Sequence, residues 1–242
     1  LIIGDFTAQI GDASDKQAIR QILSEKEVKE NMKDYVKQIG KILDMKKVEL
    51  HYNGKWLNKL TARDLLNLEM KFTAQQMIHR RNFKERWEQG KAIGIHELNY
   101  PILQGYDSVM VKADIETGGS DQLFNLKTGR EIQQIFNQKP QDIITTKMLN
   151  GLDGRKMSTS WGNVINITDE PNQMYGKIMS MKDELMPEYF ELATQISLTE
   201  TEKIKKELKS KNFNPRDAKA KLAYEIVALY HGKPAAQKAE KE

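Results

Sequence analysis

Short apolar runs alternate with longer segments in which apolar side chains recur every three or four positions. Four short runs predict buried strands, at residues 1–6, 48–52, 109–111 and 143–149. The longer segments predict helices, at residues 24–43, 61–90 and 123–136. Neighbouring parallel strands need a long crossover connection, which is usually a helix. The alternation therefore predicts an α/β fold built on a parallel sheet.

The sequence changes character after residue 166, where lysine and glutamate become frequent. Helical patterns follow at residues 199–211 and 215–230, and prolines separate them from the preceding segments. Residues 232–242 predict a further helix or a linker. We therefore expect two domains, an α/β domain over residues 1–165 and an all-helical domain over residues 166–242.

Composition excludes several classes of protein. The 242 residues include no cysteine, which excludes disulfides, cysteine nucleophiles and cysteine-based zinc sites. No apolar run approaches the ~20 residues that a membrane span needs. A net charge of +4 permits a nucleic-acid partner without requiring one. We expect a cytoplasmic protein whose beginning is missing, because the chain opens on Leu1 in the middle of a predicted strand.

Three polar side chains share one face of a helix that we predict to begin at Asn99, with Pro101 in its first turn. Tyr100, Gln104 and Asp107 are spaced i, i+4 and i+7. They could be an ordinary solvated helix face. Alternatively, they could line a pocket for a polar ring, since a buried carboxylate rejects a ring that offers it no hydrogen bond.

A glycine-rich turn, Thr117-Gly118-Gly119-Ser120-Asp121-Gln122, lies between a predicted strand and a predicted helix. Glycines allow a ligand to approach the backbone, and a helix N-terminus favours anions. Asp121 could accept hydrogen bonds from ribose hydroxyls. Turns of this composition also occur without any ligand, so this motif alone is weak.

A second glycine-containing loop precedes the change in composition, and its sequence is Gly151-Leu152-Asp153-Gly154-Arg155-Lys156-Met157-Ser158-Thr159-Ser160. Lys156 and the two serines could bind a polyphosphate as charge develops on it. The alternative is a solvated basic loop.

These motifs together resemble one family. Lys156-Met157-Ser158-Thr159-Ser160 is similar to the KMSKS signature of class I aminoacyl-tRNA synthetases. The Tyr100, Gln104 and Asp107 spacing, followed by Gly119-Ser120-Asp121-Gln122, resembles the tyrosine-specific members. The resemblance extends over almost the whole chain and includes Gly4-Asp5-Phe6-Thr7, Ile10-Gly11-Asp12 and Asn214-Pro215-Arg216-Asp217-Ala218-Lys219. It implies a partial Rossmann-like catalytic domain with a helical insertion at about residues 56–95, followed by a helical domain near the tRNA.

The resemblance also implies roles for individual residues in activating tyrosine with ATP and transferring it to tRNA(Tyr). Asp107 would accept the substrate hydroxyl, while Asp12, Tyr100 and Gln104 would hold its ammonium group. Gln122 would lie near the reacting carboxylate, and Mg²⁺ would arrive with ATP. The ATP-binding and catalytic positions implied by the motifs are Gly119, Asp121, Lys156, Met157, Ser158, Thr159 and Ser160. No metal site built by the protein itself is expected, because His96-Glu97 lacks a second histidine four residues on.

The chain also departs from the family pattern. It contains no His-x-Gly-His signature, and Thr159 stands where the signature has a second lysine. We also expect the C-terminal RNA-binding module of bacterial members to lie outside these 242 residues. We therefore expect a fragment that is poorly active alone. The insertion implies a homodimer, although its apolar residues would equally suit an internal helix pair.

Two other functions remain open. The first is a non-catalytic RNA-binding relative that kept the fold. The second is the tryptophan-specific enzyme, which resembles this chain around Tyr100, Pro101 and Asp107. That enzyme typically has an apolar residue at the position of Gln104, so Gln104 favours tyrosine.

Overall fold

The computed structural model describes residues 1–11, 24–158, 161–208 and 214–242. Internal contacts divide the chain into two compact units, Leu1–Met148 and Leu149–Glu242. The domain boundary predicted at residue 165 lies within the second unit and stays a prediction. Asp12, Thr159 and Ser160, which the sequence analysis assigned to the site, lie outside the described residues.

Parallel strand pairs form the sheet structure of the first unit. Strand β1 (Ile2–Ile3) pairs with β2 (His51–Tyr52), and β3 (Ile115–Gly119) pairs with β4 (Asp142–Thr146). Each pair is joined through helical crossovers, which confirms the predicted parallel α/β organisation. The described helices of this unit are α1 (Thr7–Ile10), α2 (Glu25–Ile39), α3 (Gly54–Leu57), α4 (Ala62–Glu69), α5 (Ala74–Ile78), α6 (Arg81–Glu88), α7 (Ile95–Val111) and α8 (Leu123–Ile135).

The single helix predicted over residues 61–90 is three helices, α4, α5 and α6, and side-chain caps begin the first two. Thr61 and Asp64 form a capping box at the start of α4. Thr73 and Gln76 form a second capping box, at which α5 begins. Each box satisfies backbone N–H groups that a helix start leaves without partners.

Two predictions around α7 are wrong. Residues 109–111 are its last turn and not a strand, because Lys112 ends the helix only after them, in a left-handed conformation with φ of 52°. Asn99 is not the N-cap either. The helix begins earlier, where the Glu97 carboxylate accepts a hydrogen bond from the Gly94 N–H at 2.8 Å.

Helices α7 and α8 pack closely at a pair of glycines. A side chain on Gly105 would come within 3.0 Å of the Gly129 backbone nitrogen and 2.8 Å of Ile132 Cδ1. Only glycine at these positions therefore permits this approach. Apolar side chains fill the space around the crossing, and those that are buried include Leu68, Met77, Ile102, Val109 and Ile132. The face of α7 that carries Tyr100, Gln104 and Asp107 is thereby held in a fixed position.

A buried ion pair fixes the N-terminal end of α7. Arg86 on α6 contacts Glu97 with a shortest N–O distance of 2.6 Å, and both side chains are 2% exposed. Arg86 also donates to the carbonyl oxygen of Ala92. Burial disfavours the charged form of Glu97, but the hydrogen bonds from Arg86 and Gly94 outweigh this and lower its pKa. The pair therefore ties α6 to the start of α7.

The second unit is built from helices around its own apolar core. They are α9 (Pro171–Met179), α10 (Met186–Leu192), α11 (Leu198–Glu207), α12 (Pro215–His231) and α13 (Lys233–Lys241). The core includes Met174, Met181 and Met186, whose flexible side chains pack among the other apolar residues. Across the described parts of the chain, no helix is both long and apolar enough to cross a membrane.

Replacing Arg86 with methionine tests the importance of the buried ion pair. Arg86→Met leaves the Glu97 carboxylate buried without its cation, which costs about 3–5 kcal/mol of unfolding free energy. We expect the midpoint of urea denaturation to fall accordingly.

The matched control lies on the same helix. Lys84 pairs with Glu88 at 3.8 Å, with side chains 57% and 61% exposed, so Lys84→Met should leave the midpoint nearly unchanged. Equal midpoints for the two variants would contradict the stabilising role assigned to the buried pair.

Candidate functional site

A cleft of about 1040 Å³ lies in the first unit beside the polar face of α7. Tyr100, Gln104 and Asp107 all line it, so the predicted i, i+4, i+7 face points into a cavity and not into bulk solvent. Gln122, from the turn before α8, lines the same cleft. The structure thus brings together four residues that the sequence analysis assigned to one site.

Asp107 is the buried acid of this cleft, with 5% of its surface exposed. Its Oδ2 accepts a hydrogen bond from Asn53 Nδ2 at 3.0 Å, and its Oδ1 accepts one from Trp56 Nε1 at 2.7 Å. Burial raises the pKa of Asp107 to about 7; the two hydrogen bonds oppose this rise, and the charges of Glu116 and Asp5 add to it. The carboxylate is therefore held in a fixed orientation and titrates near neutral pH.

Asn53 and Trp56 are site residues that the sequence analysis missed. Asn53 is fully buried and also binds the first segment of the chain, since its Nδ2 donates to Thr7 Oγ1 and its Oδ1 accepts from the Phe6 N–H, both at 3.0 Å. Trp56 had been assigned to the start of the insertion. Their position in the sequence could have identified them, because both residues follow the carboxyl end of β2, where α/β proteins commonly bind ligands.

A chain of amide hydrogen bonds connects the two predicted subsites. Asn125 Nδ2 donates to Gln104 Oε1 at 2.7 Å and to Gln122 Oε1 at 2.9 Å. Gln122 Nε2 in turn donates to Asp121 Oδ2 at 3.3 Å. Asn125 is another buried residue that the sequence analysis missed. The side chains expected to hold an amino acid and a ribose therefore belong to one network.

The glycine-rich turn is closely packed around Asp121. β3 ends at Gly119, a short 3₁₀ turn spans Ser120–Gln122, and α8 follows directly. A side chain on Gly119 would lie 2.5 Å from Asp121 Oδ1 and 3.0 Å from Met148 Sδ. Glycine at this position therefore leaves the Asp121 carboxylate room next to the Gly119 backbone, which suits contact with ribose hydroxyls.

The Lys156 loop belongs to the second unit, where Asn163 organises it. Asn163 Oδ1 accepts from the Ser158 N–H at 2.8 Å, while its Nδ2 donates to Asp153 Oδ1 at 2.8 Å and to the Lys156 carbonyl oxygen at 3.0 Å. Hydrogen bonds from Asn163 and then Arg155 hold the pKa of Asp153 well below its usual range. The Lys156 side chain is exposed.

Within residues 1–11, 24–158, 161–208 and 214–242, no three histidine, aspartate or glutamate side chains are grouped so as to hold a metal ion.

Sequence comparisons identify the family. All 242 residues match the family described as tRNA synthetases class I (W and Y). The chain is 47% identical over 241 residues to the tyrosine–tRNA ligase of Thermotoga maritima, an alignment that covers 99% of this chain and 60% of the relative. It is 48% identical over 243 residues to the tyrosine–tRNA ligase of Carboxydothermus hydrogenoformans, with 100% and 59% covered.

Solved structures show the same fold at lower sequence identity. A C-terminally truncated mitochondrial tyrosyl-tRNA synthetase of Aspergillus nidulans superposes with a TM-score of 0.75 at 22% identity, covering 99% of this chain and 74% of that one. A tyrosyl-tRNA synthetase of Archaeoglobus fulgidus, complexed with L-tyrosine, gives a TM-score of 0.70 at 20% identity, with 99% and 78% covered. The Rossmann-like fold expected from the resemblance is thus confirmed.

The chain spans about 60% of the length of these curated relatives. The match to the family over the full chain, together with nearly half-identical sequences, decides the assignment: this chain belongs to the class I tRNA synthetases of the tryptophan and tyrosine group.

Proposed function

We propose that the whole protein is a tyrosine–tRNA ligase, which activates tyrosine with MgATP and transfers it to tRNA(Tyr). The observation that carries this proposal is the buried Asp107 carboxylate, held by Asn53 and Trp56 in the cleft that Tyr100 and Gln104 also line. The nearly half-identical relatives are themselves described as tyrosine–tRNA ligases, which supports the same substrate.

The chemistry of Asp107 suits a phenol. Each oxygen of a carboxylate has two acceptor positions, so Asp107 can accept from a substrate hydroxyl while Asn53 and Trp56 keep their hydrogen bonds. Phenylalanine would displace water from the carboxylate and give it no donor in return. Sites built in this way reject the analogue without the hydroxyl by about 10⁴–10⁵-fold.

The other end of the substrate would meet amide and hydroxyl groups. Gln104, Tyr100 and Asp12 would bind the ammonium group, and Gln122 would lie beside the carboxylate. The indole N–H of tryptophan could also donate to Asp107. Tryptophan-specific members typically have an apolar residue at the position of Gln104, so Gln104 supports tyrosine as the substrate.

Activation of tyrosine requires positioning and charge stabilisation more than a protein nucleophile. A carboxylate oxygen of tyrosine attacks the α-phosphorus of MgATP, and the bond to pyrophosphate breaks. Gly119 and Asp121 would hold the ribose. Lys156, with Met157, Ser158, Thr159 and Ser160, would stabilise charge on the departing pyrophosphate. A hydroxyl of the terminal tRNA ribose then attacks the tyrosyl carbonyl and releases AMP.

Pyrophosphate exchange by the full-length protein tests the proposal. Tyrosine should support exchange of labelled pyrophosphate into ATP, tryptophan should not, and tRNA(Tyr) should become charged. Exchange with tryptophan instead would identify the tryptophan enzyme. RNA binding without exchange of either amino acid would indicate the non-catalytic relative.

We further propose a cytoplasmic homodimer, the form in which the insertion would bury its apolar side chains. Within residues 56–95, Leu66, Met70, Trp87 and Ile95 are large apolar residues with 58%, 72%, 63% and 80% of their surface exposed. Exposed apolar surface of this kind often marks an interface between proteins.

Sedimentation equilibrium of the full-length protein tests the dimer. The unmodified protein should have the mass of a dimer at micromolar concentration, and Ile95→Glu should dissociate it. Leu198→Glu is the control, because Leu198 is 74% exposed but lies outside the insertion, on α11. A monomeric mass for the unmodified protein would refute the proposed dimer. Cell fractionation tests the cytoplasmic location separately.

A further inference from the structure

We propose that Glu116 is a positioning residue that fixes the Gln104 carboxamide with its oxygen available to the substrate ammonium group. This inference rests on the proposed function, because it assumes that tyrosine binds in the cleft. It concerns a carboxylate on β3 that none of the recognised motifs includes.

Glu116 lines the same cleft as Gln104 and receives several hydrogen bonds. Ser108 Oγ donates to its Oε2 at 2.8 Å, Gln141 Nε2 donates to the same oxygen, and the Gln104 side chain donates to the carboxylate as well. Gly129 makes room for this cluster, since a side chain there would lie 2.8 Å from Ser108 Oγ and 2.9 Å from Gln141 Nε2.

The direction of each hydrogen bond follows from the chemistry of a carboxylate. An ionised carboxylate can only accept, so the Gln104 group that faces Glu116 must be the NH₂. The Gln104 oxygen then lies on the other side of the amide, where it accepts from Asn125 at 2.7 Å. An amide oxygen has a second acceptor position, which a substrate ammonium group can fill.

The opposite orientation of Gln104 would be unfavourable for the substrate. Its NH₂ group would then face the ammonium group, and two donors would meet without an acceptor between them. Glu116 prevents this, because the reversed amide would also bring the Gln104 oxygen against a carboxylate oxygen. The negative charge of Glu116 adds to the attraction for a cation in the cleft.

Burial raises the pKa of Glu116, while the hydrogen bonds from Ser108, Gln141 and Gln104 favour its ionised form and oppose that rise. Ser108 and Gln104 on α7 and Gln141 just before β4 thus supply donors that match a carboxylate, and they leave Glu116 ordered before any substrate arrives.

A pair of ligands that differ only in the ammonium group tests the role of Glu116. In the full-length protein, the KM for tyrosine is measured by pyrophosphate exchange, and 3-(4-hydroxyphenyl)propionate is measured as a competitive inhibitor in the same assay. We expect Glu116→Gln to raise the KM for tyrosine about tenfold, since a hydrogen bond to a charged group is weakened. The inhibition constant of the ligand without the ammonium group should stay within about twofold.

Two further variants complete the experiment. Asp114→Asn removes an exposed carboxylate two positions earlier in the chain and should leave both constants unchanged. Glu116→Met removes every acceptor of this side chain. It should raise the KM for tyrosine at least as much as Glu116→Gln does, again without raising the inhibition constant of the second ligand.

Equal losses for both ligands, or an unchanged KM for tyrosine, would overturn the role of Glu116. These results differ from failure of the proposed function, for which the unmodified protein itself would show no exchange with tyrosine.

Discussion

The site depends on one energetically unfavourable arrangement, a carboxylate that is buried in the wall of a cleft and has lost its hydration. A buried charge is tolerated only where hydrogen bonds or opposite charges compensate for its lost hydration. Asp107 has two such donors, Asn53 and Trp56, and its pKa still lies near neutrality. Under the proposed function, the remaining acceptor capacity of Asp107 would give the cleft a preference for a ligand that brings a hydroxyl group.

The rest of the first unit can be understood as support for that carboxylate. The glycine contact between α7 and α8 sets how closely the two helices pack, and the Arg86–Glu97 ion pair ties the start of α7 to α6. Asn53 joins the segment after β2 to the segment after β1, because it binds Thr7 and Phe6 as well as Asp107. Small shifts in any of these contacts would move a charged group that has little freedom to adjust.

The sequence predicted those parts of the site whose residues lie close together along the chain. The i, i+4, i+7 spacing identified the α7 face, and the paired glycines identified the turn before α8. Asn53 and Trp56 were missed because they reach Asp107 across 54 and 51 residues, and no local spacing records such a contact. Residues 109–111 were wrongly predicted to be a strand for a related reason. An apolar run fits both a strand and the end of a buried helix, and only the helix terminus at Lys112 distinguishes the two.

The central claim is that an ionised Asp107 recognises the phenol of tyrosine. The most direct measurement is the affinity of the full-length protein for tyrosine and for phenylalanine between pH 6 and pH 8. With a pKa of about 7, the ionised fraction of Asp107 rises with pH, so tyrosine should bind about tenfold more tightly at pH 8 than at pH 6. Phenylalanine should show no such gain, and Asp107→Asn should remove the gain for tyrosine. A tyrosine affinity that is independent of pH, or one that survives Asp107→Asn unchanged, would contradict the account.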